Sequence, residues 1–235
     1  MSGLDLYIRD NGTWHWVGAG RPEAVSNERD LVTGLAGDLR EYMLYFPLYN
    51  GVESVEIGVP HGAKLQRAPG WPLNVLPVVF YGTSILQGGC ASRPGMAYPA
   101  ILGRKLGVPT INLGFSGSAK SEPALAELMA ELDAAVYVYD SLPNLGTDED
   151  IARIEPFLRS LRKARPRTPI VLVDNVIYQG SRYIQSRRES YEKKNAKLRE
   201  VYEKMRAEGE KLMFPVAAKD LYGDDDEATV DGAHA

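Results

Sequence analysis

The sequence predicts an α/β protein in which a parallel sheet, covered by helices on both faces, follows a smaller antiparallel segment. From residue 75 onward, short apolar runs alternate with helical patterns, which is typical of buried parallel strands. The first 70 residues instead alternate short β-like runs with Asn-Gly turns. Between the two parts the chain is rich in glycine and proline, as linkers are, at Pro60, Gly62, Pro69, Gly70, Pro72 and Pro77.

The N-terminal segment, residues 1–70, is predicted to be an antiparallel sheet. Its turn signals are Asn11-Gly12 and Asn50-Gly51, because this dipeptide accepts the backbone angles of a tight hairpin. The predicted strands are residues 4–9, 14–17, 41–47 and 52–59.

Residues 71–235 form the second predicted domain. Its strands are expected at residues 75–81, 108–113, 134–139, 169–173 and 211–215. Helical patterns lie between them, at about residues 95–106, 121–132, 148–164 and 186–208. In such sheets the ligand binds beyond the carboxyl ends of the strands, so the residues after each strand are the candidates for function.

Composition excludes several classes of protein. The chain has 235 residues, of which 44% are hydrophobic and 25% charged, as in an ordinary globular protein. A net charge of -4 offers no basic surface, so we expect no nucleic-acid partner. No apolar run reaches the roughly 18 residues of a membrane helix, and the N-terminus lacks a signal peptide. We therefore expect a cytoplasmic protein with no membrane partner.

Cys90 is the only cysteine, which excludes an intramolecular disulfide and a zinc site built on cysteines. The sequence contains no other cluster of metal-ligand residues, so we expect neither a metal nor an organic cofactor. Cys90 follows two glycines and is a second candidate nucleophile, with weaker local support than the serine described next.

Ser84 is the preferred nucleophile. It follows the first predicted strand of the parallel sheet, in the sequence Gly82-Thr83-Ser84, where a tight turn exposes a hydroxyl at the mouth of the crevice. The full Gly-x-Ser-x-Gly motif is absent because position 86 is Leu. A plain Ser/Gly turn and a phosphate-binding loop are therefore alternatives.

Gly117 and Asn144 follow the second and third predicted strands. A glycine loop lets backbone amides approach a ligand, and a side-chain amide can donate to a developing oxyanion. Each residue also has an ordinary interpretation, as a flexible turn for Gly117 and an Asx turn for Asn144.

Asp231 stands three positions before His234 near the C-terminal end of the sequence. A general base needs a partner that fixes its tautomer and stabilises its charged form, and a carboxylate does both. The other two histidines, His15 in the β segment and His61 in a Pro-His-Gly turn, are interpreted as structural or surface residues. His234 is therefore the preferred base.

The order Ser84, Gly117, Asn144 and Asp231 with His234 resembles the four sequence blocks of the SGNH, or GDSL-type, hydrolase superfamily, over about residues 75–235. Residues 3–7, Gly-Leu-Asp-Leu-Tyr, are similar to the Gly-x-Asp-Leu-Tyr module that precedes one esterase subfamily. The resemblance implies a three-layer α/β/α flavodoxin-like hydrolase domain beside a small β-sandwich accessory module.

The resemblance also implies a chemistry. Ser84 would be the nucleophile, His234 the base and Asp231 its partner, while the amides of Ser84 and Gly117 and the side chain of Asn144 would bind the oxyanion. The expected reaction is hydrolysis of small acyl esters, acetyl esters above all, on small molecules such as acylated carbohydrates. The alternatives are an acyltransferase that uses the same serine and a non-catalytic carbohydrate-binding or ligand-binding protein of the same fold.

The sequence departs from the subfamily at several points. Ser141 stands where a cysteine is usual, and Ala235 where a proline is usual. The subfamily also has strands before its Gly-x-Asp-Leu-Tyr word and a helix after its histidine. We therefore expect either a piece of a longer protein or one with exposed apolar sheet surface, which favours a homo-oligomer. The aromatic residues of the β segment are interpreted as core or as a sugar-stacking surface, namely Trp14, Trp16, Tyr42, Tyr45 and Tyr49.

Overall fold

The structure, a computed structural model, describes residues 2–72 and 74–235 and contains two sheets. The first is antiparallel, with strand order β2-β1-β3, and the second is parallel, with order β5-β4-β6-β7-β8. The antiparallel strands are β1 (Leu4–Asp10), β2 (Thr13–Gly20) and β3 (Tyr42–Tyr45). The parallel strands are β4 (Val78–Gly82), β5 (Thr110–Gly114), β6 (Val136–Asp140), β7 (Ile170–Val173) and β8 (Met213–Val216).

In the described part of the chain, six α-helices connect or follow the parallel strands: α1 (Ser84–Gln87), α2 (Tyr98–Leu106), α3 (Pro123–Ala130), α4 (Asp148–Ala152), α5 (Ile154–Ala164) and α6 (Gln185–Ala207). Their limits have local causes. Thr147 begins α4 with a capping box shared with Asp150, and α2 ends at Gly107 in the left-handed conformation. The predicted helix over residues 148–164 divides at Arg153 into α4 and α5, because Pro156 has no N–H to donate to the carbonyl of Ala152. None of the described helices is long and apolar enough to cross a membrane.

The parallel sheet is covered on both faces, as predicted. On one face the large core cluster contains Tyr81, Tyr139 and Phe157, and the rings of Tyr81 and Phe157 stack with centroids 4.9 Å apart. On the other face Phe80 packs edge-on against Tyr98 of α2, with centroids 5.7 Å apart. Side chains pointing to alternate faces of β4 thus meet helices on both sides, which confirms the three-layer α/β/α fold.

The N-terminal segment confirms the predicted antiparallel sheet but not all of its strands. Asn11 and Gly12 both have positive φ angles, 48° and 82°, and form the predicted turn between β1 and β2. The predicted strand at residues 52–59 is wrong: the segment is exposed and pairs with no described strand. The described residues of this segment therefore form one three-stranded sheet. An alternating sequence forms a strand only where another strand offers it a free edge for hydrogen bonds.

Asp5 of β1 joins the small sheet to the rest of the protein. Its buried carboxylate accepts hydrogen bonds from Trp16 Nε1 (2.7 Å), the Gly95 amide (2.8 Å) and Arg93 Nη1 (3.1 Å). The Arg93 guanidinium also lies over the Trp16 ring, 4.8 Å from its centroid. Residues 93–95 precede α2, so a carboxylate of the N-terminal sheet stabilises a segment of the parallel-sheet domain.

Candidate active site

The strand register brings the candidate residues to one edge of the sheet. Gly82 at the end of β4 lies between Gly114 of β5 and Asp140 of β6. A Cβ at Gly82 would be 2.4 Å from the Asp140 carbonyl oxygen, so only glycine fits between the neighbouring strands. The chain that follows each of these three strands therefore enters the same crevice.

Ser84 is the first residue of α1. Thr83 is the buried N-cap, and its hydroxyl accepts a hydrogen bond from the Ile85 amide at 3.3 Å. After one turn the helix ends at Gly88, whose φ of 94° is left-handed. The serine is thus fixed at a sharp turn between strand and helix.

His234 connects Ser84 to Asp231. The Ser84 hydroxyl oxygen is 2.6 Å from His234 Nε2, and His234 Nδ1 is 2.7 Å from an Asp231 carboxylate oxygen. The other Asp231 oxygen accepts the amides of His234 (2.8 Å) and Ala233 (3.0 Å). The backbone bond from His234 has the largest effect on the pKa of Asp231, which is lowered to about 2. Asp231 is therefore ionised at neutral pH.

The segment that carries the histidine is held by one hydrogen bond within its own turn and by bonds to two other parts of the chain. The Val230 amide closes the turn on the His234 carbonyl at 2.9 Å, and the Tyr222 hydroxyl donates to the Ala233 carbonyl at 2.8 Å. The loop after β7 contributes the Gln179 amide, which donates to the Gly232 carbonyl at 2.9 Å. These bonds orient the imidazole toward the serine.

Potential oxyanion donors come from β4, β5 and β6. Gly117 has a φ of 71°, and the Asn144 side-chain nitrogen donates to the Phe115 carbonyl at 3.1 Å, which leaves its second hydrogen unused. Among the described residues, the amides of Ser84 and Gly117 donate to no protein atom. Two backbone donors and one side-chain donor that follow these neighbouring strands are therefore not used by the described protein atoms.

The other candidates lie away from this arrangement or are poorly suited to it. His15 lies in β2 opposite Ile8, and His61 lies in an exposed turn. Cys90 is close to the pair, but burial and the charge of Asp231 raise the pKa of its thiol, which disfavours the thiolate that a nucleophile requires. Ser84 therefore has the stronger case.

Among the residues that the structure describes, one group has the spacing to hold a metal ion, namely Cys90, Asp231 and His234. Their ligand atoms lie within 4.8 Å of one another, and sulfur, nitrogen and oxygen donors suit zinc. Both ring nitrogens of His234 are, however, already paired with Ser84 and Asp231. A metal here would displace one of these two hydrogen bonds, so the observed geometry fits a hydrogen-bonded set of side chains better than a metal site.

Two surface cavities lie elsewhere. The larger, of about 330 Å³, is lined by Phe46 and residues 52–55, and the smaller, of about 190 Å³, lies among β7, α6 and β8. Neither contains Ser84 or His234. We take the hydrogen-bonded residues as the site, because neither cavity presents a paired nucleophile and base.

The chain matches the GDSL-like lipase/acylhydrolase family over residues 76–235, and the GxDLY module, the N-terminal part of SGNH-hydrolase-type esterases, over residues 1–65. The chain belongs to the GDSL-like lipase/acylhydrolase family. It is accordingly a hydrolase of the GDSL/SGNH esterase type, and the family assignment predicted from the sequence is confirmed.

Solved structures support this GDSL-like hydrolase fold. A protein from Bacteroides ovatus ATCC 8483, described as a GDSL-like lipase, is 39% identical, has a TM-score of 0.93, and is matched over 100% of this chain and 69% of its own. The salicylyl-acyltransferase SsfX3 of a tetracycline biosynthetic pathway has a TM-score of 0.64 at 18% identity, over 99% and 68% of the two chains. A family two carbohydrate esterase from Clostridium thermocellum has a TM-score of 0.64 at 15% identity, over 94% and 78%. No curated protein matches this GDSL-like hydrolase significantly.

The sequence does not reveal the buried contacts of Asp5 or the position of Tyr49. Asp5 belongs to the Gly-x-Asp-Leu-Tyr word, and its place as an acidic residue inside a strand is the sequence signal that it is buried with partners. Tyr49 is one of the aromatic residues of the β segment interpreted as core or as a sugar-stacking surface. Two others of that group are structural: Trp16 bonds to Asp5, and Tyr45 packs edge-on against Tyr7.

Proposed function

We propose that this protein is a serine esterase that hydrolyses small acyl esters, with acetyl esters as the preferred class. The observation that carries the proposal is the continuous hydrogen-bonded path from Ser84 through His234 to Asp231, with distances of 2.6 and 2.7 Å. A nucleophile, a base and an orienting carboxylate are recognised by this geometry and not by their order in the chain.

In the first half of the reaction, the Ser84 oxygen attacks the ester carbonyl carbon while His234 Nε2 takes its proton. The tetrahedral intermediate collapses as the bond between the acyl carbon and the alcohol oxygen breaks, and the imidazolium returns the proton to the departing alcohol. In the second half, water attacks the acyl-serine with His234 again as base, which releases the acid and restores Ser84. Asp231 stabilises the imidazolium in both halves.

The amides of Ser84 and Gly117 and the side chain of Asn144 would bind the oxyanion of the tetrahedral intermediate. Their donors are fixed before the substrate arrives, so no reorganisation is needed as charge develops. Loss of one such donor typically reduces kcat by about 100- to 1000-fold.

Solvent access favours hydrolysis over acyl transfer. The Asp231 side chain is 47% exposed and that of His234 is 25% exposed, so water can reach the base. An acyltransferase with the same serine would have to exclude that water. A non-catalytic role is disfavoured because the hydrogen bonds of the triad are already formed.

The proposed acyl and alcohol groups rest on resemblance. The sequence blocks resemble those of carbohydrate deacetylases, and a family two carbohydrate esterase is a neighbour in fold. We therefore propose acetylated carbohydrates or related polyols as substrates.

The test is labelling by a fluorophosphonate together with hydrolysis of p-nitrophenyl acetate. We expect the probe to add mass to wild-type protein at Ser84, and Ser84→Ala to lose both labelling and turnover. Ser92→Ala, which removes an exposed serine nearby, and His61→Ala are the matched controls and should retain both. An unlabelled wild-type protein, or a Ser84→Ala variant that labels equally well, would show the proposal to be wrong.

A further inference from the structure

Tyr49 comes from the N-terminal segment, but its hydroxyl lies beside the proposed triad. A Cβ on Gly89 would be 3.2 Å from the Tyr49 hydroxyl oxygen, 3.2 Å from His234 Cδ2 and 3.2 Å from the Ser84 carbonyl oxygen. The three atoms therefore surround the same point. Because Gly89 has no side chain, the space between these three atoms is open. The Cβ of any other residue would be in tight contact with all three atoms.

The backbone before Tyr49 is attached to the helix that begins with Ser84. The Gln87 side-chain nitrogen donates to the Leu48 carbonyl at 2.9 Å, and its oxygen accepts the Ser116 amide at 2.8 Å. Leu48 also packs against Gly88, where an added Cβ would be 2.7 Å from a Leu48 methyl carbon. Tyr49 is thus positioned relative to the nucleophile by direct contacts with α1.

The Tyr49 hydroxyl is available to a ligand. Tyr49 is 40% exposed, and its hydroxyl makes no hydrogen bond within the described part of the chain. A phenol hydroxyl is both donor and acceptor, so it suits a partner that is itself a hydroxyl group.

The position indicates which part of a substrate Tyr49 meets. His234 Cδ2 is bonded to Nε2, the atom that returns the proton to the departing alcohol in the proposed reaction. The alcohol part of the ester must therefore lie at this edge of the imidazole, within reach of groups around Gly89. The acyl carbonyl oxygen is directed instead to the amides of Ser84 and Gly117.

We propose that Tyr49 binds the alcohol part of the substrate, by a hydrogen bond to a hydroxyl close to the ester oxygen. The residue thereby selects esters of polyhydroxylated alcohols, such as glycerol and sugars, over esters of simple alcohols. This inference rests on the esterase function proposed above and adds a specificity-determining residue supplied by the N-terminal segment.

The test compares glycerol 1-monoacetate with propyl acetate, two acetates whose three-carbon alcohols differ only in hydroxyl groups. We expect the wild-type enzyme to prefer the monoacetate. Tyr49→Phe, which removes only the hydroxyl, should lower kcat/KM for the monoacetate by about 3- to 10-fold, the loss of one neutral hydrogen bond. For propyl acetate the change should be less than about twofold, and Tyr202→Phe on α6 should alter neither value.

A second substrate pair keeps the alcohol fixed. The ratio of kcat/KM for propyl acetate to that for propyl butyrate should be the same in wild type and Tyr49→Phe, because the acyl group does not meet Tyr49. The inference is overturned if Tyr49→Phe lowers kcat/KM equally for both acetates or leaves kcat/KM for the monoacetate unchanged. It is also overturned if the variant changes the ratio of kcat/KM for propyl acetate to that for propyl butyrate. It is equally overturned if the wild-type enzyme shows no preference for the monoacetate.

Fluorophosphonate labelling separates this inference from the proposed function. Tyr49→Phe should label at Ser84 as the wild type does. If the wild-type protein does not label at all, the esterase proposal fails and the assignment of Tyr49 fails with it. If Ser84 labels in both proteins but their substrate preferences are identical, only the role of Tyr49 is wrong.

Discussion

Asp140 carries a buried carboxyl group and lies in β6, next to β4, the strand that leads to Ser84. It ends β6 opposite Gly82, and its side chain accepts a 2.7 Å hydrogen bond from the Tyr98 hydroxyl. Burial raises the pKa of Asp140 to about 7, and the bond from Tyr98 offsets only part of that effect. The carboxyl group therefore gains or loses a proton near neutral pH.

This titration predicts a dependence of stability on pH. An unfolded Asp has a pKa near 3.9, so between about pH 4 and 7 the folded protein binds the additional proton and its free energy of unfolding falls as pH rises. The effect is at most about 4 kcal/mol, since each pKa unit corresponds to about 1.36 kcal/mol. Thermal melts at pH 5 and 8 should show a smaller decrease in Tm for Asp140→Asn than for wild type.

The exposed Asp30 provides the control for this measurement. Asp30→Asn should retain the pH dependence of the wild type. Equal pH dependence in wild type and Asp140→Asn would mean that Asp140 titrates normally and that its burial has been overestimated.

Ser84 and His234 are 150 residues apart, but the sequence predicts both of them, with Asp231, as members of one candidate site. For Ser84 the reason is that a position directly after a parallel strand is a local feature, and the fold brings the strand ends together. The Asp231-His234 pair lies well beyond β8 and is distinguished instead by its three-residue spacing and by the family resemblance. The position of Tyr49 depends instead on how the N-terminal segment packs against α1. No pattern along residues 41–50 encodes that contact.

At the scale of elements, α5 carries a continuous apolar stripe toward the sheet. Ile154, Phe157, Leu158 and Leu161 are fully buried and follow the spacing i, i+3, i+4, i+7 of one helix face. The opposite face carries Arg159 and Lys163, both in contact with solvent. The position of this helix is therefore set by burial of one stripe.

Leu158→Ala should destabilise the protein by about 2–5 kcal/mol, because it removes buried methyl groups and leaves a cavity. Leu128→Ala on α3 is the matched control: Leu128 is 55% exposed, and the same substitution there should change the free energy of unfolding by less than about 0.5 kcal/mol. Urea denaturation of both variants provides the measurement. Similar losses at the two positions would contradict the packing described for α5.

The parallel strands were predictable to within a few residues, because continuous apolar runs such as residues 78–81 are buried on both sides. The N-terminal strands were predicted from alternation instead. Residues 52–59 also alternate, but they do not form a strand. An alternating sequence gives a strand one apolar and one polar face. A strand also needs the free edge of another strand for its hydrogen bonds, and the sequence of the segment does not determine whether such an edge is close to it.

At the scale of the whole molecule, Asp5 joins the N-terminal sheet to the hydrolase domain through a buried carboxylate. Asp5→Ala leaves the indole N–H of Trp16 and the amide of Gly95 without their acceptor and separates Arg93 from its partner. We expect a loss of about 2–4 kcal/mol in the free energy of unfolding. Limited proteolysis should also cut the variant faster near residues 91–97.

Asp10→Ala, an exposed aspartate at the end of the same strand, is the control and should resemble wild type in both assays. If Asp5→Ala proves as stable and as resistant to protease as Asp10→Ala, the carboxylate does not join the two parts.

The shared carboxylate also limits how this protein can evolve. Residue 5 and residue 93 are far apart in the gene, but each needs the other, since a buried aspartate without its arginine is costly. Recombination that joined this N-terminal sheet to an unrelated hydrolase would bury the Asp5 carboxylate against a surface that has no arginine to pair with it. The two parts are therefore expected to be inherited together, and a replacement at either position to survive only with a compensating change at the other.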